Sequence, residues 1–156
     1  MNLILNILRT IPLFQALTEE EHKSIIEHIT MEYYPAHHVL FEKGVLGDAM
    51  YIIKSGMIRI FDPGVAASAE DTPTEGTPKE IANLGEGNFF GEMALIEDQP
   101  RMASAETLSD CEIFVLKKAD LAELLQNSPE IAKKVEEAYH RRQVENLAAD
   151  KNKKTT

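Results

Sequence analysis

Phe90-Gly91-Glu92-Met93-Ala94-Leu95-Ile96-Glu97-Asp98-Gln99-Pro100-Arg101-Met102-Ala103 is the stretch that decides the fold of this 156-residue chain. Gly91 has no Cβ, so the backbone there can pass close to a ligand. Glu92 to Ile96 can make one helical turn, whose first N–H groups lie outside the turn's own ladder and suit an anion. Arg101 supplies a planar, permanently charged fork shaped for phosphate oxygens. Glu92 is out of place beside a phosphate unless it accepts hydrogen bonds from neighbouring hydroxyls, as an acidic residue does from ribose in dinucleotide sites. A sugar hydroxyl and a single phosphate charge held close together describe a cyclic nucleotide.

On either side of this stretch the chain has the texture of a small β structure. Short β-prone runs cover Met31 to Tyr34, Val39 to Phe41, Met50 to Ile53, Met57 to Phe61, Ile81 to Leu84 and Cys111 to Leu116. Pro35, Gly44, Gly47-Asp48, Ser55-Gly56, Gly85 and Gly87-Asn88 punctuate them. Tyr51 to Ile60 predicts a hairpin turning at Ser55-Gly56. Such close spacing predicts a roll or barrel and not alternating βαβ units. Asp62 to Lys79, with three Pro and two Gly, predicts a flexible surface loop inserted between strands.

Helices are predicted at both ends. Leu3 to Leu8 predicts a short amphipathic helix, and Pro12-Leu13-Phe14 a turn. Thr18 with Glu21 forms a capping-box pattern ahead of Ile25, Ile26 and Ile29 at helical spacing. Lys118 to Gln126 predicts a second amphipathic helix. Ser128 and Pro129 then fit the N-cap and N1 positions of a last one, striped with Ile131, Val135, Ala138, Tyr139 and Arg142. After Leu147 the residues are mostly polar, and 151–156 is expected to be a disordered tail on a single domain spanning 1–150.

Composition closes off other readings. An apolar fraction of 44% supports a packed core. Sixteen Lys+Arg against 26 Asp+Glu leave a net charge of −10, which repels nucleic acid and anionic membranes, so any phosphate must be held by a local pocket. One cysteine, Cys111, excludes an internal disulfide and a zinc-binding Cys cluster. The apolar N-terminus is too short for a membrane span and lacks signal-peptide flanks, so a cytoplasmic location without membrane contact is expected. No recognisable nucleophile elbow or cupin-like His spacing is present, so no catalytic residue, metal or cofactor is assigned and a non-enzymatic protein is expected.

The Phe90–Ala103 segment resembles the phosphate-binding cassette of cyclic-nucleotide-binding domains: Phe-Gly-Glu-hydrophobic-Ala-Leu, a spacer, then Pro-Arg-x-Ala, with five residues between Leu95 and Arg101. The forms in regulatory subunits of cyclic-AMP-dependent protein kinase and in bacterial cyclic-nucleotide-gated channels are the most similar. Pro12-Leu13-Phe14, the helix after Thr18, Gly47-Asp48 and the two closing helices fit the same family, so the resemblance runs roughly from Ile7 to Leu147.

It implies an α+β fold, an antiparallel, jelly-roll-like β-roll with an N-terminal helical segment and two C-terminal helices. It also implies ligand contacts from Phe90, Gly91, Glu92, Met93, Ala94, Arg101, Met102 and Ala103. In these, Glu92 holds the ribose 2′-hydroxyl, Arg101 an exocyclic phosphate oxygen, and Gly91 and Ala94 offer backbone amides. Tyr139, with Arg142, is a candidate lid over the base, the other reading of Tyr139 being a core aromatic.

The expected function is a cyclic-nucleotide sensor that binds cyclic AMP, since Met102 after the arginine offers no hydroxyl to guanine's donors, with cyclic GMP as the second candidate. It would signal through its C-terminal helices to an effector domain or a homodimer partner. The alternative is a nucleotide-free interaction or dimerisation scaffold of the same fold. The absence of a helix-turn-helix after Leu147 and the acidic balance disfavour a DNA-binding regulator.

Overall fold

A computed structural model describes the backbone over residues 2–64 and 78–154 and the side chains over 3–64 and 78–141. The chain divides into two compact units, Thr30–Leu116 and the pair Met1–Ile29 with Lys117–Thr156.

The first unit is an antiparallel β-roll of eight strands: β1 (Thr30–Tyr34), β2 (Val39–Phe41), β3 (Ala49–Ser55), β4 (Ile58–Asp62), β5 (Lys79–Leu84), β6 (Phe89–Phe90), β7 (Ser104–Thr107) and β8 (Cys111–Lys117). One sheet has the order β1-β8-β3-β6 and the other β2-β7-β4-β5. Between them, Ala49, Tyr51, Ile53, Ile58, Ala105, Cys111, Ile113 and Val115 form a buried core. Strand β3 is buried at every position from Ala49 to Ile53, so both of its faces are covered, which suits its uninterrupted apolar run.

Two expectations need correction here. Tyr51 to Ile60 is not a two-stranded hairpin, because β3 and β4 belong to different sheets. Gly56, with φ +99°, turns a corner that carries the chain from one sheet to the other. The reason is β3 itself: a strand buried on both faces sits inside its sheet, between β8 and β6, and leaves no edge for β4. Strands β6 and β7 were also not expected. The first has two residues, and the second reads Ser-Ala-Glu-Thr, with no apolar alternation to mark it. Residues 65–77 of the expected inserted loop lie outside the described residues.

The second unit contains α1 (Asn2–Leu8), a 3-10 turn at Pro12–Phe14, α2 (Glu19–Ile26), α3 (Lys118–Asn127) and α4 (Pro129–Lys154). It has its own core, in which Leu8, Ile11, Leu13, Phe14, Ile25 and Leu121 are essentially inaccessible. Helix α4 packs on the Pro12–Phe14 turn through its apolar stripe, with Ile131, Val135 and Ala138 buried. Its backbone is helical to Lys154. No helix among the described residues is long and apolar enough to cross a membrane.

His22, 2% exposed, was not singled out by the sequence; its Nε2 lies 2.7 Å from the Phe14 carbonyl. A carbonyl can only accept, so Nε2 carries the proton and ties α2 to the 3-10 turn. The capping box at Thr18 and Glu21 is complete. Glu21 also receives Lys134 of α4, Nζ to Oε1 at 2.7 Å. The Lys134 bond and then the Thr18 amide hold the Glu21 carboxyl below its ordinary value of 4.5.

A lowered folded-state value makes the stabilisation complete above the unfolded pKa, and it is lost as pH falls through the folded one. Glu21→Gln keeps a side chain that can complete the capping box and loses the part-buried ion pair to Lys134, so it is expected to cost about 1 kcal/mol at pH 7. The difference from wild type should shrink toward zero as pH falls below 4.5. Urea unfolding of both proteins at pH 7 and pH 3 checks this, and an equal difference at the two values would refute it.

Candidate functional site

The site is assembled from two segments of the roll. In the first, β6 delivers Phe90 into the core, where its ring stacks on Tyr51 with centroids 5.1 Å apart. Gly91 follows with φ +80° and turns the chain into a 3-10 turn over Glu92–Leu95. In the second, the loop at Gly44–Gly47 pairs with Gln99–Arg101. Gly47 N donates to Gln99 O (3.1 Å), Arg101 N to Val45 O (2.7 Å), and Gly44 N to Arg101 O (2.8 Å). Backbone hydrogen bonds thus fix the Cα of Arg101 before its side chain makes any contact.

The Arg101 guanidinium is drawn inward, leaving the residue 9% exposed. Its Nη2 donates to the Ala49 carbonyl at 2.7 Å, and its Cζ sits 4.1 Å from the Phe41 ring centroid and 5.8 Å from that of Tyr51. Two glycines make the space. A Cβ on Gly91 would fall 2.7 Å from Arg101 Nη1, and one on Gly47 would fall 2.8 Å from the Ala94 Cβ and 3.2 Å from Arg101 Nε. Burial pulls the arginine's pKa down, while Tyr51 and Asp48 oppose that shift. A guanidinium still stays protonated at any physiological pH. Among the described residues no carboxylate lies within 4.0 Å of it. A buried cation with no carboxylate that close among the described residues is costly to keep, and an anion entering beside it would be bound strongly.

A cavity of about 290 Å³ opens at this point. Of the residues expected at the site, Gly91, Glu92, Met93, Ala94, Arg101 and Met102 line it. Glu97, Gln99 and Pro100, from the spacer of the segment, line it as well. The Glu92 side chain is half-buried, with Oε2 shielded from solvent. Met102 stands on the rim, 84% exposed.

Not every residue expected at the site lines the cavity. The Phe90 ring belongs to the core aromatic stack, and Ala103 is not among the lining residues. The Ala94 residue lines the cavity, and its amide donates to the Gly91 carbonyl at 3.1 Å, closing the 3-10 turn. Tyr139 is half-buried on α4 in the other unit, and the Arg142 side chain lies outside the described residues. The residues that cradle Arg101 (Phe41, Gly47, Ala49 and Tyr51) were not singled out as site residues. Gly47-Asp48 was the one signal among them.

The family model for the cyclic nucleotide-binding domain matches residues 31–128, which contain both segments of the site. The chain belongs to the cyclic nucleotide-binding domain family. It is similar to the cyclic AMP receptor protein of Thermus thermophilus, 33% identical over 121 residues that cover 78% of this chain and 52% of the relative. It is also similar to a cyclic nucleotide-gated potassium channel of Rhizobium etli, 34% identical over 125 residues covering 80% of this chain and 31% of the channel. The chain therefore spans about half of the first relative and under a third of the second.

Among solved structures, the N-terminal domain of a transcriptional regulator from Streptomyces coelicolor superposes with a TM-score of 0.76 at 26% identity, covering 92% of this chain and 94% of that one. This cyclic nucleotide-binding domain is a regulatory module, and its β-roll with helices at both ends of the chain is the family's fold.

Proposed function

We propose that the domain binds cyclic AMP in the Gly91–Met102 cavity and reports its occupancy through α3 and α4. The observation that carries the ligand reading is the Arg101 guanidinium, buried and charged, with no carboxylate partner among the described residues and a cavity beside it. A cyclic phosphate supplies one anionic charge of the right geometry for that fork. Glu92, in the same cavity, accepts from the ribose hydroxyl, a pairing an inorganic anion cannot offer. The Thermus relative, named a cyclic AMP receptor protein, supports the choice of nucleotide.

Base preference follows from the rim. Met102 has no hydroxyl for the guanine donors, and its polarisable thioether accommodates an apolar base face. Titration calorimetry with the two nucleotides is expected to show cyclic AMP binding at least as tightly as cyclic GMP. Met102→Thr should shift the ratio toward cyclic GMP by about 1 kcal/mol, the scale of one net hydrogen bond. The ligand reading falls if neither nucleotide gives a heat of binding, and the base assignment falls if the wild type prefers cyclic GMP.

The signalling part rests on the helical arrangement C-terminal to the roll and on the general rule that a ligand favours the conformation it binds better. Hydrogen exchange of α4 amides from Val135 to Arg141 is expected to slow when cyclic AMP is added. Unchanged exchange at full occupancy would remove α4 from the readout.

A further inference from the structure

Of the two rings beside the Arg101 guanidinium, Phe41 is the nearer, 4.1 Å from Cζ to ring centroid against 5.8 Å for Tyr51. Its aim has a local cause. Strand β2 pairs with β7 at Val39↔Glu106 and Phe41↔Ala105, so two steps along β2 are matched by one along β7. A bulge of this kind re-aims the side chain that follows it. The ring is also held from behind, with its centroid 5.8 Å from Tyr51 and 6.1 Å from Phe90, the residue that leads into Gly91. The cation-bearing segment and the 3-10 turn are thus registered through one aromatic cluster.

We infer that Phe41 is the positioning residue for the Arg101 fork, holding it flat and dry so that its edge is presented to the phosphate. A guanidinium takes a ring on its face and anions on its edge, so the stack persists when a ligand binds. The Ala49 carbonyl occupies one Nη2 donor, and Arg101 lines the cavity together with Gly91, whose missing Cβ makes room for Nη1. Without the ring, a long side chain must be ordered at the moment of binding, and affinity drops by that cost. This inference rests on the cyclic-nucleotide reading of the site.

The test compares wild type with Phe41→Leu, which keeps apolar bulk, and with 3,4,5-trifluorophenylalanine at position 41, which keeps the shape and empties the ring face of negative charge. Cyclic AMP affinity is measured by calorimetry, alongside the Arg101 Nε–H resonance of the ligand-free protein, identified by its loss in Arg101→Ala. Affinity is expected to fall roughly three- to tenfold in both variants. The Nε–H signal should lose its ring-current shift in the leucine protein, while the thermal midpoint of the fluorinated protein stays near wild type. The inference is overturned if both variants bind within twofold of wild type, or if only the leucine variant weakens, since that pattern means packing alone. If Arg101→Ala itself binds cyclic AMP like wild type, the proposed function fails and not merely the role of Phe41.

Discussion

Arg101→Ala is expected to weaken cyclic AMP binding by about 2–5 kcal/mol, the range for truncating one member of a buried, hydrogen-bonded charge pair. The loss has two parts. The phosphate forfeits a charge-assisted fork, and it must be desolvated into a pocket whose remaining charged lining group named for the ligand, Glu92, is an acid. Arg101→Lys should recover only part of the loss, because a single ammonium cannot satisfy the Ala49 carbonyl and a phosphate in the same plane as the fork does. Stability should change little. The alanine variant leaves the Ala49 carbonyl without its donor but also removes the burden of a buried cation. Calorimetry and a thermal melt on the same preparation separate the two effects, and unchanged affinity in a folded Arg101→Ala protein would refute the site.

Gly56→Ala is expected to have the opposite signature, a large loss of stability with no direct effect on the ligand. Gly56 sits at φ +99°, where side chains are strained regardless of space. There is also no space, since a Cβ would fall 2.5 Å from Cys111 Sγ, 2.6 Å from the Asp110 carbonyl and 3.0 Å from Cys111 Cα. Two of these are backbone atoms, and they are pinned. Leu108 N donates to Met57 O at 2.8 Å, and Met57 N to Ser109 Oγ at 3.0 Å, so the β3–β4 corner is fastened to the β7–β8 corner. Backbone strain and overpacking together should cost about 3–5 kcal/mol. For a chain of this size that corresponds to a fall in Tm of roughly 10 °C. A circular-dichroism melt within 2–3 °C of wild type, about the shift expected for 1 kcal/mol, would refute it.

The two variants also show where the sequence was informative. Gly91, Glu92 and Arg101 could be read as a phosphate and ribose site because their chemistry is local: a residue without Cβ, an acid and a planar cation at fixed spacing. The helices were equally legible, since a capping box and an i, i+3, i+4 apolar stripe are properties of a few consecutive residues. Gly56 was recognisable as a turn, but which strands it joins was not.

What the sequence by itself determined is the element list of the helical ends, most strands of an antiparallel roll, and the segment whose residues line the cavity. Only the tertiary structure decided how the strands pair, and therefore what surrounds Arg101. Strand β7 shows why. Ser104 and Thr107 have no strand signature, but in the fold they are buried and satisfied, with Ser104 Oγ accepting from Lys43 N at 2.9 Å and Thr107 Oγ1 accepting from His38 N at 2.8 Å. Their partners lie 61 and 69 residues away in the chain. Phe41 reaches Arg101 across a similar separation, through a bulge that exists only because β2 pairs with β7. Local spacing can encode a capping box or a cation beside a turn. A contact made by strand pairing depends on register, and register is set by the burial of the whole sheet at once.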